Sequence, residues 1–296
     1  MVKIAVIGNM NVDLIALFDE LPGLDEGRET SDWKALPGGS GSNFSVAAKT
    51  LGASVTLYTA VGTGHFSKLI KEELERLGIR IHGIRKEGEQ SLIFIASTPK
   101  GKVMYSLKGA SHKLLPEDLP DTLNGDVIHV ASKPSNFVFK YSGKGRLSYS
   151  PGPHVFQTEL EMMLESIKKS DIVFLNESEA RHLNMYPHPI VMPKELLVVT
   201  LGEKGSVVFL RDSAYYVEPF KVDTVVDTTG AGDVYAAAFL TEYLRSKDPL
   251  RAAKVASVAG AIAVTVMGGF VMLDSQVVYE AARQVRAMKW SPTPER

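Results

Sequence analysis

Two kinds of hydrophobic pattern alternate along the chain. KIAVIG (Lys3 to Gly8) is a short unbroken apolar run closed by glycine, the pattern of a strand buried on both faces. The same type recurs in SVTLYTAVG (Ser54 to Gly62), DVIHVAS (Asp126 to Ser132), DIVFLN (Asp171 to Asn176) and LLVVTLG (Leu196 to Gly202). Helical stretches fall between them. FSKLIKEELERLGI (Phe66 to Ile79), for example, has apolar residues at 66, 69, 70, 74 and 77, one stripe of a helix. Strands alternating with helices predict right-handed βαβ units, hence an α/β fold with a mainly parallel central sheet flanked by helices. Such sheets bind ligands beyond the carboxyl ends of their strands.

Two regions break the alternation. Residues 14–36 mix apolar pieces with acidic, Gly and Pro punctuation, and residues 91–109 read as a hairpin turning at Pro99 and Gly101. Both are predicted to form a small antiparallel β-sheet lid over the ligand edge of a single domain spanning 1–296. GEKGSVVFLRDSAYYVEP (Gly202 to Pro219) reads as a further meander, and the tail WSPTPER as frayed.

Composition narrows the function. The 296 residues are 45% hydrophobic, enough for a large core, and the net charge of −1 argues against a general nucleic-acid binder. The absence of cysteine excludes disulfides, thiolate metal sites and a cysteine nucleophile. The longest apolar stretch, Ala259 to Leu273, is short and interrupted by glycine, so it reads as a buried helix and loop rather than a membrane span. With no signal-peptide layout at Met1, the expected location is cytoplasmic.

The candidate chemistry lies where glycine-rich strings meet helix starts. In DTTGAGD (Asp227 to Asp233), Gly230, Ala231 and Gly232 leave the approach to a helix N-terminus bare, which admits an anion to the backbone N–H groups. Asp233 then sits in the first turn, where a carboxylate can take a proton from an attacking hydroxyl. PGGSGSN (Pro37 to Asn43) is either a flexible loop capped by Ser42 or Asn43, or a site where Gly39 and Gly41 let a ligand approach the main chain and Asn43 faces it. GNMNVD places Asn11 and Asp13 at the ligand edge, suited to vicinal hydroxyls or to a bare turn. Asn176 and Glu179 have capping-box spacing, or else lie near a phosphate-bound Mg²⁺ and act through waters. TLGEKG (Thr200 to Gly205) is a hairpin turn or a nucleotide-phosphate contact. Lys133, at the end of a predicted strand, is either solvated or substrate-binding. The Walker loop, the dinucleotide fingerprint, HExxH and GxSxG are all missing.

Taken in order, GNMNVD, PGGSGSN, NESE, TLGEKG and DTTGAGD resemble the motifs of the ribokinase (PfkB) family of carbohydrate and nucleoside kinases, and the likeness runs from about Val2 to Arg286. The resemblance implies a ribokinase-like three-layer sandwich and transfer of a nucleotide's terminal phosphoryl group to a hydroxyl of a sugar or pentose-containing substrate. It implies Asp233 as base and the amides from Gly230 to Asp233 as anion hole. Thr200, Gly202, Gly205, Thr228 and Asn176 would meet the nucleotide, Asn176 and Glu179 would organise Mg²⁺, and Asn11, Asp13, Gly39, Gly41 and Asn43 would hold the sugar.

Three departures bear on the substrate. Ser40 stands where ribokinase-like sequences have Lys, GTGHFS lacks an acid, and Lys133 stands where ribokinases place an acid. The later loop MGGFVM offers no side-chain oxygen, which argues against the potassium ion common in the family. The acceptor is therefore left among plain ribose, a nucleoside and a sugar phosphate. Lys133, Lys108, His112, Lys113 and Arg28 are the candidate cations for a phosphate, and Phe44, Phe94 and Tyr105 the candidate wall for a base. The motifs do not separate ATP from ADP as donor. Small molecules are the expected partners, with no nucleic acid or membrane, and the lid edge is a candidate site for pairing with a second subunit. A non-catalytic ligand sensor on the same fold is the alternative from another class, disfavoured by the retention of Asp233.

Overall fold

The computed structural model describes residues 1–291. Of the tail expected to fray, Trp290 is anchored: its N–H donates to the Ala214 carbonyl at 2.8 Å, and its ring packs edge-on against Phe209. Residues 292–296 lie outside the described residues.

The strands are β1 (Lys3–Ile7), β2 (Asn11–Leu17), β3 (Trp33–Gly38), β4 (Ser54–Val61), β5 (Arg80–Arg85), β6 (Leu92–Thr98) and β7 (Gly101–Leu107). Then come β8 (Val127–Ala131), β9 (Leu147–Ser150), β10 (Ile172–Asn176), β11 (Leu196–Thr200), β12 (Ser206–Leu210), β13 (Ser213–Val217) and β14 (Ala287–Lys289). The helices are α1 (Ser40–Thr50), α2 (His65–Arg76), α3 (Ser135–Tyr141), α4 (Leu160–Lys169), α5 (Glu177–His182), α6 (Ala231–Ser246), α7 (Pro249–Ala263) and α8 (Ser275–Ala282).

Ten strands form the main sheet, in the order β14-β13-β12-β11-β10-β9-β8-β1-β4-β5. All pairings from β5 to β11 are parallel, and those from β11 to β14 are antiparallel. The unbroken apolar runs follow from burial on both sides. In β1, Ile4 and Val6 enter a core shared with α1, α6 and α7, while Ala5 and Ile7 enter a second core with α3 and α4. Three layers result, as expected. β5 and β9 escaped the pattern reading because β5 is a mostly polar edge strand and β9 is only four residues long.

From β1 the chain works outward to β4 and β5, then returns to β8 on the other side of β1. That reversal is a topological switch point, and it opens a crevice outside the carboxyl ends of β1 and β8.

The second sheet has the order β3-β2-β6-β7 and uses the residues that broke the alternation. It is not wholly antiparallel as expected, because its central pair, β2 with β6, is parallel. Both strands leave the main sheet from the same edge. β2 follows β1 directly, and just before β6 the Gln90 amide donates to the Met10 and Ala60 carbonyls, at the ends of β1 and β4. The hairpin from β6 to β7 turns through Pro99 and Lys100, closed by the Thr98–Gly101 pair.

Candidate active site

The start of α6 carries no side-chain cap. Its N-cap is Gly230 at φ +74°, a left-handed conformation that favours glycine. A Cβ there would fall 2.5 Å from the Gly269 Cα and 2.9 Å from the Asn43 Nδ2. Asp227 braces the approach. Its Oδ1 accepts from the Thr229 N–H at 3.0 Å and the Thr229 hydroxyl at 2.7 Å, and its Oδ2 accepts from the Gly268 N–H at 3.0 Å. Lys102, from β7 of the second sheet, reaches the same place, its Nζ 2.8 Å from Asp227 Oδ1 and 2.9 Å from Thr229 Oγ1. The lysine and its backbone partners hold the Asp227 carboxyl below the usual carboxylate range against the effect of burial.

Beside this helix start lies a cavity of about 770 Å³. Thr200, Gly202, Gly205, Thr228, Ala231 and Gly232 line it, so the structure brings two distant predicted motifs to one wall. Phe220, Val225, Ala261 and Val264 add an apolar wall that sequence reasoning did not assign residue by residue. Ala261 and Val264 lie in the stretch 259–267, which the resemblance places near the base of the nucleotide, and the Val226 N–H donates to the Val264 carbonyl at 2.7 Å, which brings Val225 beside it. A second cavity, of about 620 Å³, lies at the opposite edge of the sheet beside Val2, Asp126 and Arg146, away from these motifs.

Asp233 occupies the first turn of α6, and the Asn43 side-chain N–H donates to its Oδ2 at 3.1 Å. Asn43 lies inside α1, whose N-cap is Gly39, so neither Asn43 nor Ser42 caps that helix. Burial first, then the nearby Asp13 and Glu179 charges, push Asp233 up to about 7, while hydrogen bonds from Asn43 and Ser40 pull it back. Asp13 is pushed up to about 7 as well, by burial and then by Asp227. Four carboxylates, Asp13, Asp227, Asp233 and Glu179, are thus coupled pairwise around the start of α6.

At the other end of the crevice, Asn11 and Asp13 are buried, and one side-chain oxygen of each lacks a protein partner. Gly39 and Gly41 have a packing role within the chain. A Cβ on Gly39 would lie 2.7 Å from the Asn9 carbonyl oxygen, and one on Gly41 2.7 Å from the Gly8 carbonyl carbon. Their bareness lets the chain's own β1 turn pack against them. Lys133 is not solvated: it is 4% exposed, and its Nζ donates to the Ser111 carbonyl at 3.1 Å.

Asn176 and Glu179 form a complete capping box at the start of α5. Asn176 Oδ1 accepts from the Glu179 N–H at 2.9 Å, and the Glu179 carboxylate accepts from the Asn176 N–H at 3.1 Å and its Nδ2 at 2.8 Å. Burial leaves Glu179 raised above its ordinary value despite these bonds. Among the described residues, no group of three or more acidic or histidine side chains is placed to hold a metal ion.

The family model for pfkB family carbohydrate kinases matches residues 1–275. The chain belongs to the pfkB family. It is therefore a phosphotransferase, and the resemblance read from the five motifs is borne out. This pfkB kinase is similar to a nucleoside kinase of Methanocaldococcus jannaschii, 28% identical over 84% of this chain and 85% of that one. It is also similar to a deoxyribokinase of Salmonella typhi, 30% identical over 90% and 93% of the two chains. In structure it matches the crystallised nucleoside kinase of M. jannaschii, an archaeal member of the ribokinase family, with a TM-score of 0.86, 26% identity and coverage of 96% and 99%. Among the described residues of this pfkB kinase, no helix is long and apolar enough to cross a membrane.

Several sequence candidates of the pfkB kinase have partners within the chain. Arg28 pairs with Glu20 and Glu26, Lys113 donates to the Glu87 carbonyl, and Phe44 is fully buried against the His129 ring. Phe94 and Tyr105 do stack on each other in the second sheet. His129 itself is a core residue, held neutral by burial that depresses its pKa to about 3.

Proposed function

We propose that this pfkB kinase moves the terminal phosphoryl group of a nucleotide to a hydroxyl of a pentose-containing acceptor, with Asp233 as the general base. One observation carries the reading: a carboxylate poised near neutrality sits in the first turn of an uncapped helix, and that helix start opens on a cavity of about 770 Å³. A base is most effective when its pKa lies near the working pH. The amides from Gly230 to Asp233 offer donors to the charge that develops on the migrating phosphoryl group. Asn43 orients the Asp233 carboxylate through its 3.1 Å hydrogen bond.

ATP is the donor to test first, with ADP beside it, in the cavity walled by Thr200, Gly202, Gly205, Phe220 and Val264. The buried carboxylate of Glu179, raised above its ordinary value, fits a divalent cation brought in on the nucleotide's phosphates, a charge that would relieve it. Glu179 would hold Mg²⁺ through water, and the ion would neutralise phosphate charge. The second sheet acts as a lid of a single kinase domain, excluding water from the transfer. Lys102 ties that lid to the catalytic loop and gives Asp227 a cation from within the chain, which supports activity without potassium.

Asp233→Asn tests the assignment. Turnover falls by about 10³–10⁴ while nucleotide binding measured by calorimetry is retained. A variant that turns over at the wild-type rate removes Asp233 as the base.

A further inference from the structure

Lys133 follows β8 at the switch point, and its charge is poorly compensated. It is 4% exposed, its Nζ has a single protein acceptor at 3.1 Å, and it forms no ion pair among the described residues. The Phe137 ring lies 5.7 Å from it. Burying an ammonium without a counter-charge costs several kcal/mol, on the order of the penalty for any unpaired ion. The neighbourhood adds positive potential instead of relieving it. His112 follows Ser111, the residue that accepts from Lys133, and its ring is 2.9 Å from the Ser91 hydroxyl. Lys133 and Lys108 both depress the His112 pKa, and Lys133 and His112 both depress that of His154, in each case after burial. Burial also lowers Lys133, to about 8.

The cluster belongs to the acceptor side. The Ser111 hydroxyl donates to the Met10 carbonyl, which places the cluster against the β1 turn carrying Asn9 and Asn11, each with an unpartnered buried oxygen. The nucleotide cavity is instead built on β11, three inter-strand steps from β8, or roughly 14 Å along the sheet.

We propose that Lys133, His112, His154 and Lys108 form an anion subsite that selects an acceptor bearing a phosphate monoester, so that the enzyme phosphorylates a sugar phosphate in preference to the neutral sugar. The inference rests on the phosphotransfer reading above and names its acceptor class. Two lysines and two histidines match a phosphate monoester, of charge about −1.5 to −2 at neutral pH, better than a carboxylate. The uncompensated Lys133 then becomes a source of discrimination. A neutral sugar leaves the charge unpaired, whereas a phosphate pairs it.

Calorimetry without nucleotide, using ribose, ribose 1-phosphate, ribose 5-phosphate and ribonate, tests this apart from chemistry. One of the two phosphates is expected to bind about 100-fold more tightly than ribose. Lys133→Met should cut that ratio by about 30-fold. Lys108→Ala, at an exposed position where folding is not at stake, should cut it by about threefold. Wild-type protein that binds ribose as tightly as both phosphates overturns the proposal, as do variants that leave the ratio unchanged. Tighter binding of ribonate overturns the choice of phosphate. Acceptor-dependent nucleotide consumption, measured in parallel, keeps the two readings distinct. Turnover with neutral acceptors and no phosphate preference sinks the anion subsite alone. A phosphate preference without turnover on any acceptor sinks the kinase reading alone.

Discussion

The two ends of the crevice are built from different materials. At the donor end, the groups offered to a ligand are backbone N–H groups and small residues: Gly230, Ala231 and Gly232 at the start of α6, with Gly202 and Gly205 across the cavity. At the acceptor end they are buried side chains: Asn11 and Asp13, each with one oxygen that has no partner among the described residues, and Lys133, whose charge has a carbonyl acceptor but no counter-charge among them. Backbone donors cost nothing to keep in an empty site, because a helix start leaves them unpaired anyway. Buried charges do cost stability, so the acceptor end stores the strain and gains the selectivity.

The largest effect that would break this contrast is expected in the glycines. At Gly230 a Cβ collides with the Gly269 backbone and the Asn43 amide, and the residue sits at φ +74°. Gly230→Ala should displace Asn43 and with it Asp233, lowering kcat/KM by about 10³ and stability by about 1–2 kcal/mol. At Gly232 a Cβ meets nothing within 4 Å and φ is ordinary. Gly232→Ala should leave Tm unchanged, so any loss of turnover there reports crowding of the phosphoryl group. Equal loss of Tm in both variants would show that the donor end is as strained as the acceptor end.

The same contrast explains what the sequence reveals. Donor chemistry carried by backbone needs glycine at consecutive positions, so DTTGAGD and TLGEKG stand out as strings. The layers of the main sheet are equally plain, because strands buried on two faces give unbroken apolar runs such as KIAVIG. The rest of the site depends on contacts between residues far apart in the chain. Asn43 meets Asp233 across 190 positions, and Lys102 meets Asp227 across 125. No local pattern encodes those meetings. Nor does spacing reveal that Gly41 packs on Gly8, or that Lys133 is buried.

Lys102 is where the lid joins the donor end, and it gives the next largest effect. Lys102→Ala removes a charge-assisted hydrogen bond from Asp227 and should lower kcat by about tenfold with little change in Tm. Added potassium or ammonium should restore part of the loss in the variant and leave the wild type unaffected, while Lys102→Arg keeps most of the activity. A wild-type enzyme that itself requires potassium would show that Lys102 does not supply the charge.

Protonation offers a finer probe of the acidic cluster between the two ends. Asp13 and Asp233 both stand near 7 in the fold, against 3.8 ordinarily, so the folded chain holds their protons more tightly than the unfolded chain. Stability contributed by these groups is therefore present below pH 3.8 and lost as pH rises through about 7. Asp13→Asn should raise Tm by a few degrees above pH 7 and not at pH 4. Activity runs the other way, since the base must be ionised, and kcat/KM should fall below about pH 7. Removing the Asp13 charge lowers the Asp233 pKa, so this limb should move to lower pH in Asp13→Asn. A limb that stays in place would uncouple the two carboxylates.

The smallest expected effect concerns Glu179, whose carboxylate completes a cap yet also raises Asp233 through its charge. Cap and metal roles separate by substitution. Asn176→Ala removes the cap and should cost about 1 kcal/mol, a fall in Tm of about 2–4 °C. Glu179→Gln keeps an oxygen for the Asn176 N–H but loses the charge that would order metal-bound water. Its Tm should stay close to wild type while the Mg²⁺ concentration for half-maximal turnover rises about tenfold. If the Mg²⁺ requirement instead follows Tm in both variants, Glu179 acts only as a cap, and the ion is held by the nucleotide alone. The donor end would then contain no side chain devoted to the metal, and its contrast with the acceptor end would be complete.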